Sequence, residues 1–268
     1  WLFDNYYDHN TEDTLLIKGL YSAASGMMLG LTRMDALANN LANVNTCGFK
    51  KDVIVSTAFP DMLISRLEKK DNGESGSYQQ IGKLGTGACV GFQTSDFSQG
   101  NMKRTDNPLD VALANSSYFV VQTANGERFT RNGQFKLTGT GLLTDLSGNP
   151  VMDVNDEQIV VEGDFRVDKQ GNVFVNGEEL TTFKIVSFAD QMNSMTKMGG
   201  SLWQSSTPYT EDANPQVLQN YVEDSNVNAI SEMIELIKVT RSYESMQKIV
   251  QAQDESLATV IEKVGTVQ

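Results

Sequence analysis

An apolar heptad repeat near each end of the chain constrains the fold more than any other feature of the sequence. Between about Leu16 and Val44, apolar side chains recur every seven residues in two interleaved series. A mean period of 3.5 residues predicts a helix that needs a partner helix along its apolar seam. The segment Asn45-Thr46-Cys47-Gly48 is expected to end this helix, with Gly48 in a left-handed C-cap. The two series are Leu20, Met27, Met34 and Leu41, and Ala24, Leu31 and Ala38.

The second repeat runs from about Asn228 to Val264, and its apolar positions alternate by three and four residues. The segment Ser225–Asn228 supplies N-cap side chains, and Glu232 suits the first turn of a helix. An ordinary amphipathic helix on its own core would show a similar stripe. Two long seams at opposite ends of the chain instead favour helix-on-helix packing, within one copy and between copies. The seam positions are Leu236, Val239, Tyr243, Met246, Val250, Gln253, Leu257, Val260 and Val264.

Between the two repeats, residues 107–188 are typical of short β-strands joined by tight turns. The spacing of the turn signals predicts an antiparallel β domain with roughly eight to ten strands. Asn125-Gly126, Asn132-Gly133 and Asn176-Gly177 are hairpin signals, because a type I′ turn needs positive φ at both central residues. Ser147–Pro150 and Lys169–Asn172 predict further turns.

These patterns predict an α+β fold, in which the N- and C-terminal helices pack as a coiled-coil layer and the centre is an antiparallel β domain. We divide the chain into five parts, of which the β domain includes an irregular segment at residues 191–214. The parts are an atypical tail (1–16), the N-terminal helix with the motif that follows it (17–58), an extended excursion and connector (59–100), the β domain (101–220) and the C-terminal helix (221–268).

No residue pattern in the sequence indicates catalysis, a cofactor or a metal ion. His9 is the only histidine, so a histidine triad or a histidine metal cluster cannot form. The segment Gly82–Gly87 has some likeness to a phosphate loop but lacks the P-loop spacing. Cys47 and Cys89 form no CxxC pair, and two free thiols or one structural disulfide both stay open.

Charge and hydropathy limit the partners of the chain. The formal net charge of −13 argues against binding to nucleic acid or to anionic lipid, both of which need a basic surface. No apolar run approaches the roughly 18 residues of a membrane span. The first residues, WLFDNYYDHNTEDT, have neither the basic nor the apolar region of a secretory signal peptide. We therefore expect a cytoplasmic protein, or one exported by another route.

Three segments resemble the flagellar rod and hook family of axial proteins. Ala38–Lys50, with the sequence ANNLANVNTCGFK, is similar to the family's N-terminal signature, in which an Asn-rich helix end runs into Thr-x-Gly-Phe-Lys. Asn107–Leu113, with the strands and turn that follow it up to Phe135, is similar to the central β domain. Ser225–Asn228 and Arg241–Glu244, with Glu232-Met233 between them, are similar to the C-terminal signature. The resemblance covers the chain from Ile17 onward, and the preceding residues are either a translation artefact or a real tail.

The resemblance implies a structural subunit of the periplasmic rod in the bacterial flagellar basal body, and not an enzyme. Such a protein leaves the cytoplasm through the flagellar type III export apparatus, without a cleaved signal peptide. It then polymerises with copies of itself and with other rod proteins, so that the terminal helices form an inner coiled-coil layer. No cofactor, nucleic acid or membrane-spanning segment is implied.

Two rod types compete within this family. Asn107–Leu113, Phe59–Leu63 and Phe183–Val186 favour the proximal type, and the distal type is the alternative. A surface adhesin or binding module built on the β domain is the alternative outside the family. Residues on the two seams and in the two signatures are the expected assembly interface: Leu20, Met27, Leu31, Met34, Asn39, Asn40, Leu41, Asn43, Gly48, Phe49, Asn226, Arg241, Tyr243, Glu244, Val250 and Leu257.

Overall fold

Long α-helices lie near both ends of the chain, as the heptad repeats predict. The structure is a computed structural model that describes residues 9–67 and 78–265. Its helices are α1 (His9–Ala42), the short α2 (Gln191–Ser194) and α3 (Ala229–Gly265). Every strand pair with a defined register is antiparallel. The α+β class, with helices at both ends and an antiparallel β region between them, is thus confirmed.

The strands of the described residues are short, and most lie between residues 102 and 223. Nine of them fall within residues 107–188, in agreement with the predicted number. They are β1 (Asp52–Ala58), β2 (Met62–Leu67), β3 (Tyr78–Leu84), β4 (Ala88–Ser95), β5 (Met102–Arg104), β6 (Val111–Leu113), β7 (Tyr118–Thr123), β8 (Gly126–Thr130), β9 (Lys136–Leu137), β10 (Leu143–Thr144), β11 (Phe165–Val167), β12 (Asn172–Val175), β13 (Glu178–Thr182), β14 (Ile185–Ser187), β15 (Met195–Gly199), β16 (Leu202–Ser205), β17 (Thr210–Glu211), β18 (Val217–Gln219) and β19 (Tyr221–Glu223).

Local side-chain chemistry sets the inner ends of the long helices. Helix α1 ends at Ala42, where the Asn43 Nδ2 atom donates to the Asn39 carbonyl oxygen at 2.9 Å. Asparagine favours such exits because its side chain competes for backbone groups. Helix α3 begins after Asn228, whose Oδ1 atom accepts a hydrogen bond from the Ser231 amide at 3.1 Å. The N-cap chemistry expected in Ser225–Asn228 is therefore present at its last residue.

The described residues fall into two compact units. One unit contains residues 9–38, 53–94 and 233–265, and hence most of α1, most of α3 and the paired strands β1–β4 and β2–β3. The predicted tail 1–16 is helical from residue 9, and residues 1–8 lie outside the described residues. The predicted connector 59–100 contains strands β2, β3 and β4, while its part at 68–77 lies outside the described residues.

The other unit, residues 39–52 and 95–232, contains the β domain. Its main sheet has six strands in the order β15-β16-β8-β7-β14-β17, and β11-β12-β13 form a second sheet. Alternate side chains of β7 point to opposite sides, so Phe119 and Val121 enter one apolar cluster while Tyr118 and Val120 enter the other. The predicted irregular segment 191–214 contributes β15, β16 and the buried Trp203 to this unit.

The three predicted hairpin turns behave differently. Asn176-Gly177 joins β12 to β13 with φ of 54° and 88°, as a type I′ turn requires. Asn125-Gly126 lies at the β7–β8 hairpin, but only Gly126 has positive φ. The prediction for Asn132-Gly133 was wrong, since neither residue has positive φ and no hairpin forms there. Gly133 instead receives the Val111 amide at 2.9 Å, and the backbone of Val111 leaves no space for a Cβ.

Candidate assembly surface

Helices α1 and α3 pack face to face through a stripe of small residues on α1. Gly19, Ala23, Gly26 and Gly30 recur at intervals of four, three and four residues and so share one face. A Cβ at Gly26 would overlap the Met246 Sδ atom, and a Cβ at Gly30 would lie 3.7 Å from the Tyr243 ring. Absent side chains on α1 thus make room for bulky side chains on α3.

The contact face of α3 follows the predicted seam, and that of α1 combines the first predicted series with the glycine stripe. On α3, Tyr243, Val250 and Leu257 are half-buried in the register that the repeat predicts. On α1, Leu20, Met27 and Met34 lie half-buried beside the glycine stripe, and Met34 Sδ accepts the Thr240 hydroxyl at 3.6 Å. The second predicted series, Ala24, Leu31 and Ala38, is exposed. The closest contacts of α1 with α3 are made at glycines, and contact of the second series with another copy of the chain stays a prediction.

Both long helices also carry apolar residues that remain exposed to solvent. On α1, Tyr21, Met28 and Leu31 are 71%, 72% and 47% exposed. Their spacing of seven and three residues places them on one face, away from the glycine stripe. On α3, Met233, Ile234 and Ile237 are about half exposed, at 48%, 50% and 54%. We call these two sets the outer stripes.

Exposed charges lie beside the seam on α3. Arg241 and Glu244 are both exposed and flank the half-buried Tyr243. Neither one has an ion-pair partner among the residues that the structure describes. Their charges are therefore free to meet another molecule.

The Asn-rich end of α1 divides into one buried and two accessible side chains. Asn40 is 1% exposed; its Oδ1 accepts the Asp52 amide at 2.8 Å, and its Nδ2 donates to the Asp52 carbonyl at 2.9 Å and to Glu232 Oε2 at 3.3 Å. Asn40 thus holds the end of α1 to the first turn of α3 within one chain. Asn39 is exposed, and Leu41 and Asn43 are half-buried.

The segment after α1 is held by the β domain. Gly48 has a φ of +68°, as expected, but it lies six residues beyond the end of α1 and is not its C-cap. A Cβ there would lie 2.5 Å from the Asn132 nitrogen, so the backbone of the β domain is the reason for glycine. Phe49 is buried, and the Lys197 ammonium lies 4.0 Å from the centre of its ring. This cation–π contact links the segment after α1 to β15.

Asn226, from the C-terminal signature, has its hydrogen-bonding groups paired within the chain. Its Oδ1 atom accepts the Lys51 amide at 2.8 Å. Its Nδ2 atom donates to the carbonyls of Asp96, at 2.8 Å, and Ser98, at 3.1 Å. Asn226 therefore joins the segment before α3 to the segment after α1.

A buried charge cluster that sequence reasoning missed lies at the same place. The Lys50 ammonium contacts Glu223 Oε1 at 2.7 Å, and Arg131 contacts Glu223 Oε2 at 2.9 Å. Burial lowers the pKa of Lys50, and the nearby Glu223 carboxylate opposes this effect. Lys50 ends the Thr-x-Gly-Phe-Lys signature, but no sequence spacing links it to a glutamate 173 residues away.

The described residues hold little that could perform covalent chemistry. Within residues 9–67 and 78–265, no group of His, Cys, Asp and Glu could hold a metal ion. Cys47 and Cys89 are free thiols, which resolves the choice left open above. Burial raises the pKa of Cys47, so its thiolate is disfavoured. No helix in the described parts is both long and apolar enough to cross a membrane.

Long helices near both ends of the chain carry exposed apolar stripes, and the β domain has a packed core. Exposed apolar surface of this kind is typical of a protein that binds other proteins. Three family descriptions match the chain: "Flagella basal body rod protein" at residues 20–50, "Flagellar hook protein FlgE/F/G D1 domain" at 112–175 and "Flagellar basal body rod FlgEFG protein C-terminal" at 218–262.

Full-length relatives match as well. The flagellar hook-basal body complex protein FlhO of Bacillus subtilis is 32% identical, over 94% of this chain and 100% of its own length. The flagellar basal-body rod proteins FlgF of Caulobacter vibrioides and FlgG of B. subtilis are each 30% identical, over 92% of this chain and 98% of theirs. The chain belongs to the flagellar basal-body rod family. It is a structural subunit of the rod, and this family is not one of enzymes.

Proposed function

We propose that this chain is a proximal-type rod subunit that polymerises through its terminal helices into a coiled-coil layer. Its partners are copies of itself and other rod proteins, and it reaches the rod through the flagellar type III export apparatus. The observation that carries the polymerisation proposal is the pair of outer stripes. Exposed apolar surface costs about 25 cal/mol per Å² relative to burial, so a partner helix that covers these stripes gains stability.

The proposed interface combines the outer stripes with the accessible signature residues. Leu31 belongs to an outer stripe, and Asn39, Arg241 and Glu244 have exposed side chains. Asn40 and Asn226 are assigned to contacts within the chain, because their hydrogen-bonding groups are already paired there. Gly48 and Phe49 are likewise assigned to the β domain. The half-buried seam residues are assigned to both kinds of contact, with the same chain and with a neighbouring copy. They are Leu20, Met27, Met34, Leu41, Asn43, Tyr243, Val250 and Leu257.

Polymerisation is tested by placing a charge on an outer stripe. Ile237→Asp should prevent polymers from forming at high protein concentration, as seen by electron microscopy, and should leave the melting temperature of the monomer nearly unchanged. Leu180→Asp is the matched control, since Leu180 lies on β13 and is similarly exposed, at 51% against 54% for Ile237. Polymers in Ile237→Asp that match those of the wild type would refute the proposed role of the stripe.

The proximal assignment rests on the segments Asn107–Leu113, Phe59–Leu63 and Phe183–Val186, which resemble that type. Relatives named FlgF and FlgG are equally similar to the chain, at 30% sequence identity each. Sequence identity therefore favours neither of these two relatives over the other. Deletion of the gene and microscopy of isolated basal bodies would separate the two types. A proximal subunit should be required for any rod beyond the base, whereas loss of a distal subunit should leave a short rod stub.

Family membership favours these rod roles over the surface adhesin considered above. The adhesin alternative would require a stable monomer that binds a ligand through the β domain. Export is tested separately, by comparing secretion of the chain in cells with and without a functional flagellar export apparatus. Retention in the cell only when that apparatus is disabled would support the proposed route.

A further inference from the structure

The buried charge cluster joins three segments that are far apart in the sequence. Lys50 follows α1, Arg131 follows β8, and Glu223 ends β19. Their side chains are 1%, 3% and 1% exposed. Each carboxylate oxygen is used, because Glu223 Oε1 accepts from Lys50 at 2.7 Å and from the Gly100 amide at 2.9 Å, while Oε2 accepts from Arg131 Nε at 3.0 Å.

The cluster contains two cations for one carboxylate, and backbone carbonyls accept further hydrogen bonds from both cations. Lys50 also donates to the Ser98 carbonyl at 2.7 Å, and Arg131 also donates to the carbonyls of Asn115 and Ser117. Without Lys50, the positive charge of Arg131 would therefore still be neutralised by the negative charge of Glu223. Removal of Glu223, in contrast, would leave two buried cations without a counter-charge, which is strongly destabilising.

Backbone bonds around the cluster tie the same segments together. The Gly48 amide donates to the Glu223 carbonyl at 2.8 Å, and the Asp224 amide donates to the Asn101 carbonyl at 2.9 Å. The Asn226 amide also donates to the Phe49 carbonyl, at 3.4 Å. The segment after α1 and the segment before α3 thus contact each other and the β domain around one carboxylate.

We propose that Lys50 is a positioning residue, which fixes the segment after α1 and the segment before α3 in one arrangement on the β domain and adds little to global stability. The ammonium donates to both Glu223 Oε1 and the Ser98 carbonyl, so it bridges residues 98–100 to the segment before α3. A neutral side chain would leave the fold intact but would loosen both segments together. This inference concerns the folded single chain and does not depend on polymerisation.

Hydrogen exchange on the full chain tests the inference with a matched control. In Lys50→Met, the amides of Gly48, Gly100, Asp224 and Asn226 should exchange at least ~10-fold faster, because local opening exposes them without global unfolding. The melting temperature should fall much less than in Glu223→Gln. Lys184→Met is the control, since Lys184 is similarly buried, at 3% against 1% exposed for Lys50, and pairs with the acidic side chains of Asp156 and Glu127 elsewhere in the β domain.

The outcomes separate a positioning role of Lys50 from a role in the global stability of the chain. Faster exchange at these four amides in Lys50→Met alone supports the inference. Unchanged exchange there, or the same acceleration in Lys184→Met, overturns it. Global unfolding of both Lys50→Met and Lys50→Gln also overturns it, because Lys50 would then be required for stability. Equal melting temperatures in Lys50→Met and Glu223→Gln would contradict the charge count on which the inference rests.

Discussion

The ring of Tyr243 on α3 packs against Gly30 on α1, with its Cδ2 atom 3.7 Å from the position that a Cβ of residue 30 would occupy. This distance is an ordinary van der Waals contact, so a methyl group fits there and a larger side chain does not. The same face of α1 carries Gly19 and Gly26 opposite Gln253 and Met246. The separation of the two helices is therefore set by the size of the side chains on this face.

Gly30→Ala is expected to stabilise α1, and Gly30→Leu to separate α1 from α3. Alanine is favoured over glycine inside a helix by about 0.8–1.0 kcal/mol, and its methyl group would lie at van der Waals distance from the Tyr243 side chain. Leucine gains similar propensity but forces Tyr243 away. Circular dichroism during thermal unfolding should show a higher midpoint for Gly30→Ala than for Gly30→Leu. Equal midpoints would mean that these faces are not in contact in the isolated chain.

Gly48→Ala should destabilise the β domain more than alanine at another glycine of positive φ. A residue with a Cβ costs roughly 1–2 kcal/mol in the left-handed region. At Gly48 the Cβ would also press on the backbone of Arg131 and Asn132, at 2.6 and 2.5 Å. Gly177→Ala is the control, since Gly177 has a φ of +88° and nothing within 4 Å of its Cβ position.

Urea unfolding gives the free energy of each of these alanine variants. We expect a loss of about 1 kcal/mol for Gly177→Ala, from the left-handed conformation alone, and a clearly larger loss for Gly48→Ala. Equal losses would show that the backbone contact with the β domain contributes nothing.

The sequence predicts the helices and the antiparallel β domain because their signals are local. The α3 seam has large apolar side chains at regular intervals, and Asn228 caps the helix within three residues. The glycine stripe on α1 was missed because glycines contribute nothing to an apolar repeat. The cluster of Lys50, Arg131 and Glu223 was missed for a different reason: its members are 92 and 173 residues from Glu223, and only the tertiary fold brings them together.

Acid should weaken the β domain through Asp153. Burial alone would raise the pKa of this carboxyl, but hydrogen bonds from the Thr181 hydroxyl at 2.6 Å and from the amides of Glu157 and Asn155 outweigh it, so the pKa lies below its usual value. A depressed folded-state pKa contributes stability that is present above the unfolded value of about 3.9 and is lost as pH falls through the folded value.

Thr181→Val removes one of the hydrogen bonds that lower the pKa of Asp153. We expect it to reduce the free energy of unfolding at pH 7 by about 1 kcal/mol. The free energy of unfolding should then fall less steeply as the pH decreases below about 4. Thr182→Val is the control, because the Thr182 hydroxyl donates to the neutral Asn172 side chain instead. Denaturant unfolding between pH 2 and 7 checks both variants. If the free energy of unfolding of Thr181→Val and of the wild type depended identically on acid pH, the role given to the Thr181–Asp153 hydrogen bond would be contradicted.

Reversal of charge at Arg241 is expected to block polymerisation without destabilising the monomer. Arg241 is exposed on α3 and has no ion-pair partner in the described parts of the chain, so Arg241→Glu should change the free energy of unfolding by no more than about 0.5 kcal/mol.

The chain already carries a net charge of −13, and each charge reversal makes this net charge more negative by two. Lys136→Glu, at an exposed lysine on β9, makes the same change outside the helices and controls for general repulsion between copies. Electron microscopy of concentrated protein should show polymers for Lys136→Glu and none for Arg241→Glu. Equal impairment in the two variants would assign the effect to net charge, and normal polymers in Arg241→Glu would remove this residue from the interface.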